Sequence, residues 1–418
     1  MKKRIMIIST SPFPYGNNIT DGPGYRAWNL FQEISKKHNI TILSLYESFH
    51  QRSTKEYEVS EDDIIIKCIS HKPVRVANSI KEEKPDVLYL PWSATPFVSH
   101  VDEKIPTIID YVGVGLLEEY VSQGYIPIHL LQLKLKSFWL GDFFMTAGFR
   151  DRYYLIGLLA ASKRLSFGVH KSRDQLIHVI PMTPPIDHPI LREKVIDKNS
   201  DEFIILIAGS FLPWYDYATF FKALKILDQR GKTNFKVIFM GGNPKDPRFE
   251  KTVKKMGQNH FLGKRVIYTG LVPFKQRANF YLASDVAVNI PSDTIEDELS
   301  VRTRIVDYVW GRLPIITPAR DEYSEKVIKQ GAGFSYTAGN SLSLAQALEM
   351  LMKDRTKLEQ ARKNFETLLD NDFNCKKVIA PLEAFIDTPN IDPTRSAPKT
   401  LLSELFLWVR DAFRALRI

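Results

Sequence analysis

The chain has 418 residues, 44% hydrophobic and 25% charged, which supports two globular domains with full cores and excludes collagen-like, disordered and repeat architectures. A net charge of +9 and a pI near 9.2 favour anionic partners: nucleotides, nucleic acid or an acidic membrane surface. Cys68 and Cys375 stand far apart with no CxxC pair, which points to a reducing compartment and away from a zinc site.

The first residues, MKKRIMIISTSP, have a basic start and an apolar run that ends at Ser9-Thr10. That run is too short for a signal peptide and predicts a buried first strand, Arg4–Thr10. A Gly/Pro/Asn-rich loop, 11–24, leads to a helical pattern over Tyr25–Lys37 and a second strand, Ile40–Leu45. Further strands are expected at Asp86–Leu90, Pro106–Asp110 and Asp142–Ala147. The apolar stretch Ile126–Ala161 is broken by Lys134, Lys136, Asp142, Arg150, Asp151 and Arg152, so it is not expected to span a bilayer.

The proline-dense segment Val179–Pro189 reads as a domain boundary. The alternation then restarts: strands at Phe203–Gly209, Phe235–Gly242, Arg265–Gly270 and Asp285–Ile290, with helices over Tyr217–Arg230, Pro247–Met256 and Phe274–Ala283. A helix over Val301–Trp310 precedes a strand at Leu313–Thr317, and helices cover Ser341–Lys353 and Arg355–Leu369. Strands separated by helices predict parallel sheets covered on both faces. The expected architecture is therefore α/β, with two Rossmann-like domains facing a cleft: residues 1–184 and 185–370, then 371–386 as a helix crossing back to the first domain. Residues 387–400 read as a Pro/Asp/Thr linker before an amphipathic helix, 401–418. That helix, Leu401–Ile418, has three open fates: an anionic membrane surface, a partner protein, or its own domain.

Ligands of open parallel sheets sit at the carboxyl ends of strands, which directs attention to three loops. In the first, SPFPYGNNITDGPGYR, Gly22 and Gly24 let backbone amides approach an anion at a helix start, although the stretch also fits an ordinary turn-rich loop. In the second, GSFLPWYDY, Ser210, Trp214, Tyr215 and Asp216 are positioned to line the cleft, or Trp214 packs under the next helix. The third is DELSVRTRIVDYVWGRLPII. With Ser300 as N-cap, Ser300, Thr303, Arg304 and Asp307 share one face, while Val301, Arg302, Ile305 and Val309 turn away. Arg304 and Asp307 at i, i+3 also fit a plain surface ion pair. The histidines form no HxxH or HExxH arrangement, and basic residues are scattered without interleaved aromatics, so neither a metal centre nor a nucleic-acid partner is expected.

Residues Tyr268–Ile328, above all Glu296–Pro314 with Ser300, Arg302-Thr303-Arg304, Asp307-Tyr308, Trp310 and Leu313-Pro314, resemble the nucleotide-sugar domain of GT-B glycosyltransferases of family four. The likeness is to a bacterial surface-glycan subgroup with an RTRxxDYxW signature, and PWYDY and DGPGYRAWNL resemble further parts of it. The resemblance implies a retaining, metal-independent glycosyltransferase without a cofactor. Such an enzyme moves a sugar from a nucleotide-diphosphate donor to a glycan or polyprenol-linked acceptor, in O-antigen-like cell-envelope assembly at the inner face of the cytoplasmic membrane. It implies that Asp307 holds the donor ribose, that Glu296 or Glu298 is the acid near the donor sugar, that Gly22 and Gly24 approach the diphosphate, and that Leu271 and Val272 hold the base through backbone groups. The chain departs from the common pattern where Ser210 and Tyr215 replace an Arg and a Lys, where Leu299 stands eight positions before Asp307, and where Asp110 and Tyr111 stand near the expected histidine. Arg302 and Arg304 are accordingly expected to supply the phosphate charge, and Asp110, with Glu296, the catalytic groups. A nucleotide-sugar epimerase or hydrolase and a non-catalytic scaffold of a glycan-assembly complex are the alternative readings.

Overall fold

The computed structural model describes residues 1–16, 18–48, 51–53, 56–98, 104–165, 176–242, 247–259 and 265–395. The predicted terminal helix, 401–418, lies outside them.

The first domain runs β1 (Arg4–Ser9), α1 (Gly22–Ile34), β2 (Asn39–Ser44), β3 (Tyr46–Ser48), β4 (Gln51–Arg52), β5 (Tyr57–Glu61), β6 (Ile64–Cys68), α2 (Pro73–Glu83) and β7 (Val87–Pro91). It continues with β8 (Thr107–Tyr111), α3 (Gly115–Gln123), α4 (Ile128–Leu140), β9 (Phe143–Thr146), α5 (Phe149–Ala161) and β10 (Ile177–Val179). Its sheet has the order β10-β9-β8-β7-β1-β2-β6-β5, parallel except for the β5–β6 edge pair. The central strands are buried on both faces, β7 and β8 at every residue, which is why their sequences are unbroken apolar runs rather than alternating ones.

The second domain comprises β11 (Phe203–Ala208), α6 (Tyr217–Gln229), β12 (Phe235–Met240), α7 (Pro247–Asn259), β13 (Val266–Gly270), α8 (Arg277–Ala283), β14 (Val286–Val288), α9 (Ile295–Leu299) and α10 (Thr303–Trp310). After these come β15 (Ile315–Thr317), α11 (Glu322–Lys329), β16 (Gly333–Ser335), α12 (Ser341–Lys353) and α13 (Thr356–Asn371). Six parallel strands lie in the order β13-β12-β11-β14-β15-β16. The predicted pair of Rossmann-like sheets facing a cleft is what the chain forms. The helix predicted over 301–310 starts two residues later, however, and a short separate helix, α9, precedes it.

Past α13, α14 (Cys375–Val378) and α15 (Ala380–Asp387) return to the first domain, where Ile379, Leu382, Phe385 and Ile386 join the core under α1. Residues 388–395 follow the same domain closely. Asp392 accepts from Arg164 (Nη1–Oδ1 2.9 Å), its backbone amide donates to Asp142 (2.9 Å), and Arg395 also donates to Asp142. The domains also touch directly across the cleft. Tyr323 on α11 receives a hydrogen bond from the Met182 amide and donates one to the Ala147 carbonyl, both 2.8 Å, and Glu322 accepts from the Phe149 amide (2.6 Å).

Arg164 is wholly buried and its charge is met by Asp392. Replacing it with Met strands that carboxylate, at a cost of about 3 kcal/mol, the low end for breaking a buried pair. The expected result is a lower urea midpoint for the Arg164→Met protein than for wild type.

Candidate active site

The carboxyl ends of β11 and β12, the start of α10 and the loop before α1 enclose a cavity of about 280 Å³ between the domains. Its walls include Asp21, Gly22 and Tyr25 from the first domain, and Gly209, Ser210, Trp214, Tyr215, Leu271, Val272, Arg277 and Tyr281 from the second. Ser300, Val301, Arg302, Thr303, Arg304 and Asp307 complete it.

The two arginines of the RTR sequence stand in opposite electrostatic states. Arg302 occupies the N-cap position of α10 in extended backbone, and only 5% of it is exposed. Its guanidinium donates to both oxygens of Glu296 (2.9 and 2.7 Å) and to Asp297 (2.9 Å), while Ser300 donates its hydroxyl to Glu296 (2.8 Å). Both carboxylates are fully buried, and burial raises the Asp297 pKa to about 7 in spite of Arg302. Arg304 has no such partner: among the described residues no carboxylate lies within ion-pair distance of it. Its guanidinium stacks 3.9 Å above the Tyr215 ring, donates weakly to the Ser210 carbonyl (3.4 Å), and leaves Nη1 buried without a partner. Gly209, at φ +104°, permits this placement, since a Cβ there would lie 3.0 Å from Nη2.

One turn on, Asp307 faces the cavity and accepts from Arg277 (2.6 Å) and Tyr281 (2.8 Å) through Oδ2. Oδ1 is left without a hydrogen-bond partner. Burial raises this carboxyl's pKa, and Arg277 opposes the rise. Arg277 in turn lies 4.1 Å over Phe274 and 5.2 Å over Tyr25, so an aromatic floor from both domains carries the ion pair. Gly22 closes the opposite wall: a Cβ on it would come 3.3 Å from the Thr303 hydroxyl.

The predicted site residues divide. Gly22, Ser210, Trp214, Leu271, Val272, Ser300, Arg302, Thr303, Arg304 and Asp307 line the cavity, and Val301, predicted to turn away, lines it too. Arg302 is corrected in two respects. It does not point away, and it carries no free charge, because the chain bends at Ser300 and lays it across Glu296 and Asp297. Ser300 ends α9 rather than capping α10, and Arg304 and Asp307 do not pair with each other. Glu296 stands behind the wall, saturated by Arg302 and Ser300, so its carboxylate does not face the cavity. Glu298 is an exposed residue 3.8 Å from Arg320 and outside the cavity. Asp216 caps α6 by accepting from the Thr219 amide (2.9 Å). Gly24 is not in the wall: its amide donates to the Asp21 carboxylate (3.2 Å) as part of the α1 cap. Asp110 is outside this cavity, held through Oδ2 by Arg26 (2.8 Å) and Tyr89, but it lines a neighbouring chamber with Oδ1 left without a hydrogen-bond partner. Arg277, Tyr281 and Glu118, also in the wall, escaped the sequence reading.

Residues 191–367 match the family model described as glycosyl transferases group 1, a span that takes in nearly all of the second domain. The second domain is a glycosyl transferases group 1 domain. No curated protein matches the chain in sequence. Among solved structures, sucrose-phosphate synthase from Thermosynechococcus elongatus is similar over 92% of this chain and 98% of its own, with TM-score 0.73 and 14% identity. Anabaena HepE in complex with UDP and glucose gives TM-score 0.68 at 12% identity over 92% and 100%. The E. coli trehalose-6-phosphate structure bound with UDP-2-fluoro glucose gives 0.64 at 10% over 93% and 100%. The fold shared with these is GT-B. Within the group 1 domain, the cavity residues cluster at the start of α10 and the end of β11. Among the described residues, no group of three or more His, Cys, Asp or Glu is placed to hold a metal ion.

Two outcomes follow from the paired and unpaired arginines. Arg302→Met should cost about 3–5 kcal/mol in urea unfolding by stranding two buried carboxylates, whereas Arg304→Met should cost no more than about 1 kcal/mol. From about pH 4 to 7 the folded state keeps on Asp297 a proton that the unfolded chain has released, so this group lowers stability as pH rises through that range. Thermal midpoints of Asp297→Asn should therefore fall less steeply with pH than those of wild type.

Proposed function

We propose that this protein is a retaining, metal-independent glycosyltransferase. It transfers a sugar from a nucleotide-diphosphate donor to a glycan or lipid-linked acceptor in the assembly of a bacterial surface polysaccharide. The observation that carries the reading is Arg304: a buried cation with no carboxylate partner among the described residues, beside the amino end of α10, in the cleft of a GT-B fold whose second half matches the group 1 family. Placing an uncompensated charge inside a protein is costly, and an anionic ligand removes that cost. A diphosphate fits because it accepts from a guanidinium and from the free backbone amides of a helix start together. In this reading Thr303 and Ser210 flank the diphosphate, the free Oδ1 of Asp307 accepts from a ribose hydroxyl, and Leu271 and Val272 pack against the base. The UDP and glucose of the HepE complex and the UDP-2-fluoro glucose of the E. coli structure support the same donor class.

Rate acceleration then rests on holding the leaving diphosphate and the acceptor in register between two domains. Asp307, Arg277 and Thr303 do part of this as rigid wall. The surface-glycan role rests on the resemblance of the Glu296–Pro314 stretch to that subgroup. Among the described residues no helix is long and apolar enough to cross a membrane, and action at the membrane's inner face is part of the proposal. Calorimetric titration with a nucleoside diphosphate tests the reading: Arg304→Ala should weaken binding by about 1.5–3 kcal/mol, the scale of a hydrogen bond to a charged group. Equal affinities would remove Arg304 from the donor site.

A further inference from the structure

The apolar stretch Ile126–Ala161 folds as α4, β9 and α5, and much of it faces outward. α4 is turned inside out relative to an ordinary surface helix. Its buried positions include Lys134 and Ser137, beside Phe138 and Leu140, while Ile128 and Leu131 are 74% and 42% exposed. The Lys134 amine lies 3.7 Å over the Trp92 ring and the Ser137 hydroxyl meets that of Tyr111, so both polar groups are engaged inside the domain. Among the described residues nothing covers the outer leucine and isoleucine.

Neighbouring elements extend this face. α3 begins against α4, since a Cβ on Gly115 would lie 3.5 Å from Lys134 Nζ. Tyr120 on α3 and Tyr125 in the turn after it are 54% and 60% exposed. α5 shares the core cluster of α4 on one side of the sheet, and its Phe149 and Tyr153, one turn apart, are exposed as well. The charge of the face has one sign. Between Tyr120 and Lys163 the only acids, Asp142 and Asp151, are buried, whereas His129, Lys136 and Lys163 are exposed. Glu119, just before them, is engaged by Gln123. Tyrosines and aliphatic side chains fringed by lysine are the residue set of a membrane–water interface.

The end of the chain arrives on the same side. Arg164, which follows α5, donates to the Phe138 and Gly141 carbonyls at the end of α4 and pairs with Asp392, and Arg395 donates to Asp142. The described chain therefore leaves the first domain beside the ends of α4 and α5. The sequence beyond it carries Leu402, Leu405, Phe406, Val409 and Phe413 at the spacing of one apolar helical face.

We propose that the outer face of α3, α4 and α5 rests on an anionic lipid bilayer. The inference rests on the lipid-linked acceptor of the proposed function and names the surface that meets it. Glu118 on α3 lines a chamber of about 430 Å³ beside the donor cavity, and Tyr120, on the opposite side of the same helix, belongs to the docking face. An acceptor held in the bilayer by its lipid thus presents its sugar about 10 Å from the cleft, one helix diameter.

The test is co-sedimentation of the full-length protein with vesicles of phosphatidylcholine, alone or mixed with phosphatidylglycerol. Wild type should bind the mixed vesicles at least about 10-fold more tightly than the neutral ones, and Ile128→Asp with Leu131→Asp should weaken mixed-vesicle binding at least about 10-fold. Lys136→Gln should weaken it about five-fold, the share of one lysine near an anionic surface. Neither Ile128 nor Leu131 lines the donor cavity, so nucleoside diphosphate affinity of the double variant should stay within about two-fold of wild type. A wild-type protein that binds neither vesicle overturns the docking face. A double variant that binds as wild type does also overturns it and places the contact on the terminal segment alone. So does a wild-type dimer in light scattering that the same substitutions split, which makes the face a subunit interface. A wild-type protein that binds the mixed vesicles and no nucleoside diphosphate overturns the donor reading and leaves the docking face standing.

Discussion

The bond between Arg302 and the buried pair Glu296 and Asp297 fixes the geometry on which the cleft depends. Arg302, Glu296 and Asp297, held in a space closed to water, keep one arrangement, because any displacement strands a charged or polar group. That arrangement bends the chain between α9 and α10 and sets where α10 begins. It consumes one of two neighbouring arginines and leaves the other, one residue past Thr303, on the Tyr215 ring with no carboxylate partner among the described residues. The one guanidinium left over lines the cavity.

A second consequence concerns the aromatic residues. In sequence alone, Tyr215 in this loop reads as an aromatic with no charge to offer a phosphate. In the fold its ring is the platform for Arg304, so the cation is supplied from α10 instead of from the β11 loop. Arg277 over Phe274 and Tyr25 repeats the device at the other end of the cavity. Both guanidiniums are kept in place by ring faces and neighbouring groups, which limits their rotamers before a ligand arrives.

The two sheets were legible in the sequence because strands buried on both faces must be apolar throughout, as Val87–Pro91 and Phe203–Ala208 are. The cleft-facing loops followed from the rule that ligands collect at strand carboxyl ends, and Arg304 and Asp307 line the cavity there. Arg302 defeated helical-wheel reasoning because the wheel assumes a helix at residue 301, and a buried acid pair five and six residues upstream pulled the backbone out of it. Asp216 shows the same limit from another side, since an Asp at a loop's end reads equally as ligand or as helix cap. Glu118 and Arg277 were invisible for a different reason: a lone acid or base in a helical pattern normally marks the solvent face. The signals available for Glu118 were the glycines at 113 and 115 and a lysine set inside the apolar run of α4.

The measurement closest to the central claim is a structure of the protein with a nucleoside diphosphate bound. The account predicts diphosphate oxygens at hydrogen-bond distance, about 3 Å, from the Arg304 guanidinium and the amides at the start of α10, with Arg302 still on Glu296 and Asp297. A diphosphate held by an Arg302 that has left those carboxylates, or one bound away from Arg304, would contradict it.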